Sequence, residues 1–385
     1  MGNIVDYIRE YGDYSFLERP FCDEDSLAIA QLSYLKLDGA VPAPAPIPAG
    51  ASAPEAGEGC PGVTIGEISH CKRKEEIFAD ERFARDNAAL FEAMRKSRRF
   101  QTMKLHDCVD RTDPSERLQF FAVACTLEDG SVFLAFRGTD ETLVGWKEDF
   151  YMACRMPVRS QELSAAYLDE IGSRCKGSLL VGGHSKGGNL AVYAAMHCGE
   201  VVRRRIRRIY DLDGPGFLPW LRRDDLYGAV KDRVRKIVPH SSVVGMLLED
   251  TGAYEVVESN TFGLLQHNPY SWLIRDGKFV TVRDIYKGRR AAVEIVNRWI
   301  LSLTREEREG FVEALFTVIE ASEAETLLDF SGNWKKAVRQ MASALQETDR
   351  GTRKALWHVF RALFTAGKET VSGHRAKKKE SGTMA

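Results

Sequence analysis

Residues 179–195 read LLVGGHSKGGNLAVYAA. An apolar run stops at a glycine-rich turn that holds one serine, Ser185, and a helix-like run of small residues follows at once. Gly183-His184-Ser185-Lys186-Gly187 fits G-x-S-x-G, a weak pattern alone because Gly and Ser are common. A strand before it and a helix after it supply the context of a nucleophile elbow. In such an elbow the serine takes strained backbone geometry, and a neighbouring Cβ would clash. The alternative is a glycine turn with a helix-capping serine.

Working outward, the same periodicities recur. Upstream, LQFFAVACTLEDGSVFLAFRGTD (118–140) holds two apolar runs separated by Glu128-Asp129-Gly130, a hairpin signal. A helical pattern covers 160–175. Downstream, RRIYDLDG (207–214), VRKIVPH (234–240) and AYEVVES (253–259) read as strands. Strands alternating with helices predict an α/β architecture with a mainly parallel sheet flanked by helices.

The flanks read differently. DSLAIAQLSYLKLDG, within an N-terminal segment 1–40, has helical spacing of Leu27, Ile29, Ala30, Leu32 and Leu35, and the segment is expected to pack on the central domain. Alternating Pro and Ala over 41–62 predict a linker or exposed loop. The central domain then runs over 63–279. Beyond 280 the strands stop and 3.6-residue apolar faces predict a helical region to about 370, with capping-box spacing at Thr304–Glu307 and Ser322–Glu325. Residues 371–385 read as a disordered tail.

A serine hydroxyl needs a base to take its proton. The order Ser, then acid, then His places that base after the last strand. His267, in LLQHNPYSW, satisfies this; His197 sits on the elbow helix and His240 ends a strand too early. His184 is read as packing at the elbow. Three acids compete: Asp213 in YDLDGPGF, and Glu249 or Asp250 beyond the next strand. The alternative for Asp213 is a turn-forming Asp before Gly214. For an oxyanion, the backbone N–H of Lys186 at the helix start and Thr139 in Arg137-Gly138-Thr139 are the candidate donors.

Taken together, AFRGTDETLVGWKEDF, VGGHSKGGNLAVYAA and YDLDGPGF resemble the fungal-type triacylglycerol lipases of the α/β-hydrolase superfamily. The combination of SYL, FRGTD, GWKEDF, GHSKGGNLA, DGPGF and a late QH…W, over about 24–275, is more closely similar to an uncharacterised bacterial family of lipase-like α/β-hydrolases. The resemblance implies an α/β-hydrolase fold with a helical C-terminal region. It also implies a serine esterase or lipase with Ser185 as nucleophile, His267 as base and Thr139 as oxyanion residue. Those lipases carry Asp-x-Val-Pro after the strand matching VRKIVPH; here Ser242 stands where that Asp is expected. This favours Asp213 as the acid. It also leaves a second reading open, a silent scaffold that binds a ligand or partner, and a third, a hydrolase of thioesters or amides. Lys186, in place of the lipase Leu, puts a charge beside the serine.

Composition narrows the partners. Net charge is −1, which gives no global drive toward nucleic acid, and the run RRRIRR (203–208) lacks interleaved aromatics. The eight cysteines lack zinc-site spacing, so neither metal nor cofactor is expected. No apolar run reaches the roughly 18 residues of a membrane span. MGNIVDYIREYGDYSF is charged without an apolar run, and the expectation is a cytoplasmic protein acting on a small-molecule or lipid ester. TRKALWHVFRALF (352–364) has an apolar side, read as packing on the body or, alternatively, as a peripheral membrane contact.

Overall fold

The computed structural model describes residues 1–44, 62–71, 74–78, 83–140, 142–222, 225–249 and 253–320. Ser322–Glu325, the segment 352–364, the tail and most of the Pro/Ala stretch lie outside them, as does Asp250.

The frame is one twisted sheet. Its strands are β1 (Val63–Thr64), β2 (Lys104–Asp113), β3 (Leu118–Thr126), β4 (Val132–Phe136), β5 (Leu179–His184), β6 (Ile206–Leu212), β7 (Val234–Pro239) and β8 (Tyr254–Val257). A short hairpin, β9 (Ile274–Arg275) with β10 (Lys278–Phe279), precedes β11 (Thr281–Val282). The sheet order is β1-β2-β3-β4-β5-β6-β7-β8-β11. From β4 to β8 all neighbours are parallel; β1 to β4 and the β8–β11 edge are antiparallel. This is the α/β-hydrolase architecture that the motifs imply. The Asp129-Gly130 turn joins β3 to β4, with Gly130 at φ 78° and Ser131 N–H donating to Asp129 Oδ1. β2 and the short edge strands are additions to the sequence reading. β2 is buried only over Leu105–Cys108, with His106 and Asp107 among the buried residues, and then runs out exposed, so its pattern is weak.

The central strands are buried on both faces, which explains their unbroken apolar runs. Phe121, Val123 and Cys125 of β3 point into one core, and Phe120, Ala122 and Ala124 into the other. The principal helices are α1 (Ile4–Tyr11), α2 (Asp23–Leu32), α3 (Ala84–Lys96), α4 (Leu143–Met152), α5 (Arg159–Arg174), α6 (Lys186–His197), α7 (Glu200–Arg205), α8 (Lys287–Ser302) and α9 (Arg305–Glu320). α5 and α6 cover one face. α1, α2 and α3 cover the other, so the N-terminal segment is a full layer of the fold. α2 is buried from Glu24 to its end at Leu32, Asp25 and Gln31 included. Its charge is matched from α3's far side: Arg99 Nη2 lies 2.5 Å from Asp25 Oδ2, with both side chains fully buried.

α8 and α9 pack over loops at the carboxyl ends of the strands. Phe311, Val312, Leu315 and Phe316 of α9 meet Tyr151, Met152 and Cys154 at the end of α4, and Ile300 of α8 meets Leu218 and Leu248. α9 starts as its sequence requires. Thr304 N–H donates to Glu307 Oε2 (2.7 Å), and Glu307 N–H donates back to Thr304 Oγ1 (3.2 Å). In the basic run, Arg205 donates to the carbonyls of Gly172, Cys175 and Gly177, tying α7 to the loop before β5.

Candidate active site

The elbow forms where β5 passes into α6. Ser185 sits at φ 58°, ψ −132°, a region costly for any residue with a Cβ. The turn closes only because its neighbours are glycines. A Cβ on Gly187 would stand 2.1 Å from the Phe136 carbonyl oxygen. A Cβ on Gly138, in the facing loop after β4, would stand 2.2 Å from Tyr34 Oη and 3.0 Å from Ser185 Cβ. Ser185 N–H donates to Leu212 O (2.9 Å), locking the elbow to β6.

His267 reaches the serine from the far end of the chain. It closes a 3₁₀ turn, Gly263–His267, and its Nε2 lies 2.9 Å from Ser185 Oγ. Its Nδ1 lies 2.6 Å from Asp213 Oδ2. The carboxylate can only accept, so Nδ1 carries the proton and the Nε2 lone pair faces the serine hydroxyl. The turn is held from beneath. His184 Nε2 donates to the His267 carbonyl (2.9 Å) while its Nδ1 meets Tyr34 Oη (3.1 Å). Gln266, fully buried, accepts from Ser241 N–H and donates to Thr261 O. His184 is thus a brace at the elbow, as its position suggests.

Asp213 lies one residue beyond β6, at φ 54°, and is fully buried. Asp211, two residues earlier, does not share its face, because the left-handed backbone at Asp213 ends the strand alternation. Asp213 turns to His267, whereas Asp211 pairs with Lys236 Nζ at 2.7 Å. Burial pushes the Asp211 carboxyl up to about 6, against the pull of Lys236. Lys236 Nζ also donates to Gly214 O (2.6 Å), and Asn189 Nδ2 to Pro215 O (3.0 Å), so the loop carrying Asp213 is pinned on both sides. Of the competing acids, Glu249 sits 3.5 Å from Lys236.

Thr139 is nearly buried beside the serine, and its Oγ1 donates to Asp149 Oδ2 (2.5 Å). Lys186 turns its side chain away from the serine into a closed network. Its ammonium donates to Gln119 O (2.9 Å), Gln119 Oε1 (2.9 Å) and Glu148 Oε2 (3.0 Å), with Lys186 and Glu148 each 1% exposed. Glu148 in turn accepts from Gln119 N–H and Ser160 N–H. The charge that the sequence puts beside the serine is therefore neutralised behind the elbow. Neither Gln119 nor Glu148 stood out in the sequence, although GWKEDF contains the latter.

Burial raises the Asp149 carboxyl to about 6; the nearby Lys186 ammonium and the Thr139 hydroxyl oppose the shift. In the unfolded chain this proton leaves near pH 4, as expected for a free Asp. Between the two values the folded chain holds more protons, so stability falls as pH rises from about 4 to about 6. Asp149→Asn removes this dependence. Relative to wild type, the variant is expected to gain about 1–2 kcal/mol between pH 4 and pH 7 in urea unfolding. A gap that does not change with pH would show that the carboxyl ionises as it does in water.

A mainly parallel sheet flanked by helices, with Ser185 on a strand-to-helix elbow, is the α/β-hydrolase fold. Among the described residues no cluster of His, Cys, Asp and Glu could hold a metal ion, and no helix is long and apolar enough to cross a membrane. The chain belongs to the Mbeg1-like family, whose model matches residues 94–317. No curated protein matches it. Among solved structures it is similar to the Rhizomucor miehei lipase in a propeptide complex, at 17% identity, over 44% of this chain and 59% of that one, with a TM-score of 0.32. It is also similar to M37 lipase, at 16% identity, over 59% of this chain and 70% of that one, with a TM-score of 0.37. The matched region thus spans less than two thirds of the Rhizomucor miehei lipase.

Proposed function

We propose that this protein is a serine hydrolase that cleaves a carboxylic ester through an acyl-enzyme on Ser185. The observation that carries the proposal is the unbroken row Ser185 Oγ–His267 Nε2, His267 Nδ1–Asp213 Oδ2, at 2.9 and 2.6 Å. In this reading His267 takes the Ser185 proton as Oγ attacks the ester carbonyl, then gives it to the departing alcohol. Water, deprotonated by the same imidazole, releases the acid and restores the serine. Asp213 holds the imidazole in the required tautomer and balances its charge.

The oxyanion would be met by backbone N–H groups. Lys186 is the first residue of α6, and the first N–H groups of a helix have no partner within it. The Thr139 hydroxyl is committed to Asp149, so its N–H is the group offered to the oxyanion. The silent-scaffold reading drew on Ser242 standing where an acid was expected. Asp213 in contact with the imidazole supports catalysis over that reading.

The test uses p-nitrophenyl esters of rising chain length and a fluorophosphonate probe. Turnover of at least one ester, with covalent labelling, is the expected result. Activity confined to short chains would narrow the substrate to small esters and remove triacylglycerols. A folded wild type that neither turns over esters nor takes the probe would favour the scaffold, and thioester or amide panels would separate the third reading.

A further inference from the structure

The carboxylate of Asp213 has two oxygens, and the protein uses them differently. Oδ2 faces His267 Nδ1 at 2.6 Å. Oδ1 accepts from Ser242 Oγ at 2.5 Å and from Gly245 N–H at 3.2 Å. Ser242 lies just past β7, on the strand next to the one that carries Asp213, and is 2% exposed. Its own N–H donates to Pro239 O, so the residue is fixed by the end of β7. The ends of two neighbouring strands therefore converge on one carboxylate.

We infer that Ser242 is a positioning residue for the hydrolase reaction proposed above: its hydroxyl holds Asp213 so that one oxygen, Oδ2, is aimed at His267. The inference rests on that reading of the site. A carboxylate with one anchored oxygen cannot rotate about its Cβ–Cγ bond without breaking the anchor. A hydrogen bond to a charged, buried acceptor is among the stronger kinds. Lys236, Gly245 N–H and His267 are the other donors or charges that face Asp213, and none of the three replaces the Ser242 hydroxyl at Oδ1 with comparable distance.

The same convergence has a second consequence. A serine Oγ occupies the place where an aspartate carries its Cγ, and carboxylate oxygens lie about 1.2 Å further out. Ser242→Asp in an Asp213→Ala background therefore sends a carboxylate into the volume that Asp213 vacates.

The experiment measures fluorophosphonate labelling of the full chain as a function of probe concentration, with folding checked by circular dichroism. Wild type and Ser185→Ala test the hydrolase reading; an unlabelled wild type overturns that reading and the inference with it. If wild type labels, Ser242→Ala is expected to lower the maximal labelling rate about ten-fold, with the half-saturating probe concentration changed less than about two-fold. Ser242→Thr, which keeps the hydroxyl, recovers most of that loss. Asp213→Ala falls by about 10⁴-fold, and Asp213→Ala/Ser242→Asp regains at least about ten-fold over it. Ser242→Ala labelling at the wild-type rate, or a folded double variant no faster than Asp213→Ala, overturns the inference while leaving the hydrolase reading intact.

Discussion

Ser185→Ala is expected to lower ester turnover by about 10⁴- to 10⁶-fold and to abolish fluorophosphonate labelling. The fold should survive. Alanine keeps the Cβ, so the φ 58° backbone bears the same strain, and the backbone bond from residue 185 to Leu212 O is untouched. What disappears is the oxygen 2.9 Å from His267 Nε2. His267→Ala should cost a similar factor, and the double variant little more than either alone, because groups acting as one unit do not contribute additively. Two independent, multiplying losses would mean that the serine and the imidazole do not work on the same proton.

Glu148→Ala should produce the largest loss of stability from a single exchange near the site. Glu148 joins three groups at once: the Lys186 ammonium and the N–H groups of Gln119 and Ser160, all behind the elbow, with Gln119 also bound to the ammonium. Removing it leaves a buried ammonium with an acceptor missing and two backbone donors unmet. Breaking a buried pair from one side costs about 3–5 kcal/mol. That corresponds to a fall in Tm of roughly 10 °C. Lys186→Met should cost less, since the carboxylate keeps its two N–H donors and the methionine fills the space of the lysine stem. Equal Tm values for wild type and Glu148→Ala would show that the ion pair contributes nothing net. Lys186 thus serves to fasten the first turn of α6 to β3 and α4, which keeps the N–H groups beside Ser185 in place.

The elbow and the histidine that meets its serine were legible because each rests on a local rule. Glycines at tight turns, a strand before and a helix after, and a histidine following the last large strand can all be read along the chain. The parallel core was legible for the same reason: β4 and the start of β5 are unbroken apolar runs because both faces are buried. Which carboxylate meets His267 stayed open because it depends on one backbone angle. Asp213 at φ 54° leaves the strand's alternation, and no spacing rule reveals that. Ser242 read as an absence in the sequence; in the structure it donates to Asp213. Lys186 read as a charge near the substrate because its partners, Gln119 and Glu148, lie 67 and 38 residues away. β2 was missed because half of it is solvent-facing.

The layer formed by α1, α2 and α3 bears on how the protein can be cut. The family model's match begins at residue 94, yet Phe21 rests on Phe133 and Tyr210, with ring centroids 5.5 and 5.8 Å away, and Asp25 neutralises Arg99. A fragment trimmed to 94–317 would strip one side of the sheet to water and strand a buried guanidinium. It should be recovered as aggregate, whereas the same cut placed before Asn3 should leave a soluble chain. The stretch that the family model matches is shorter than the stretch that folds.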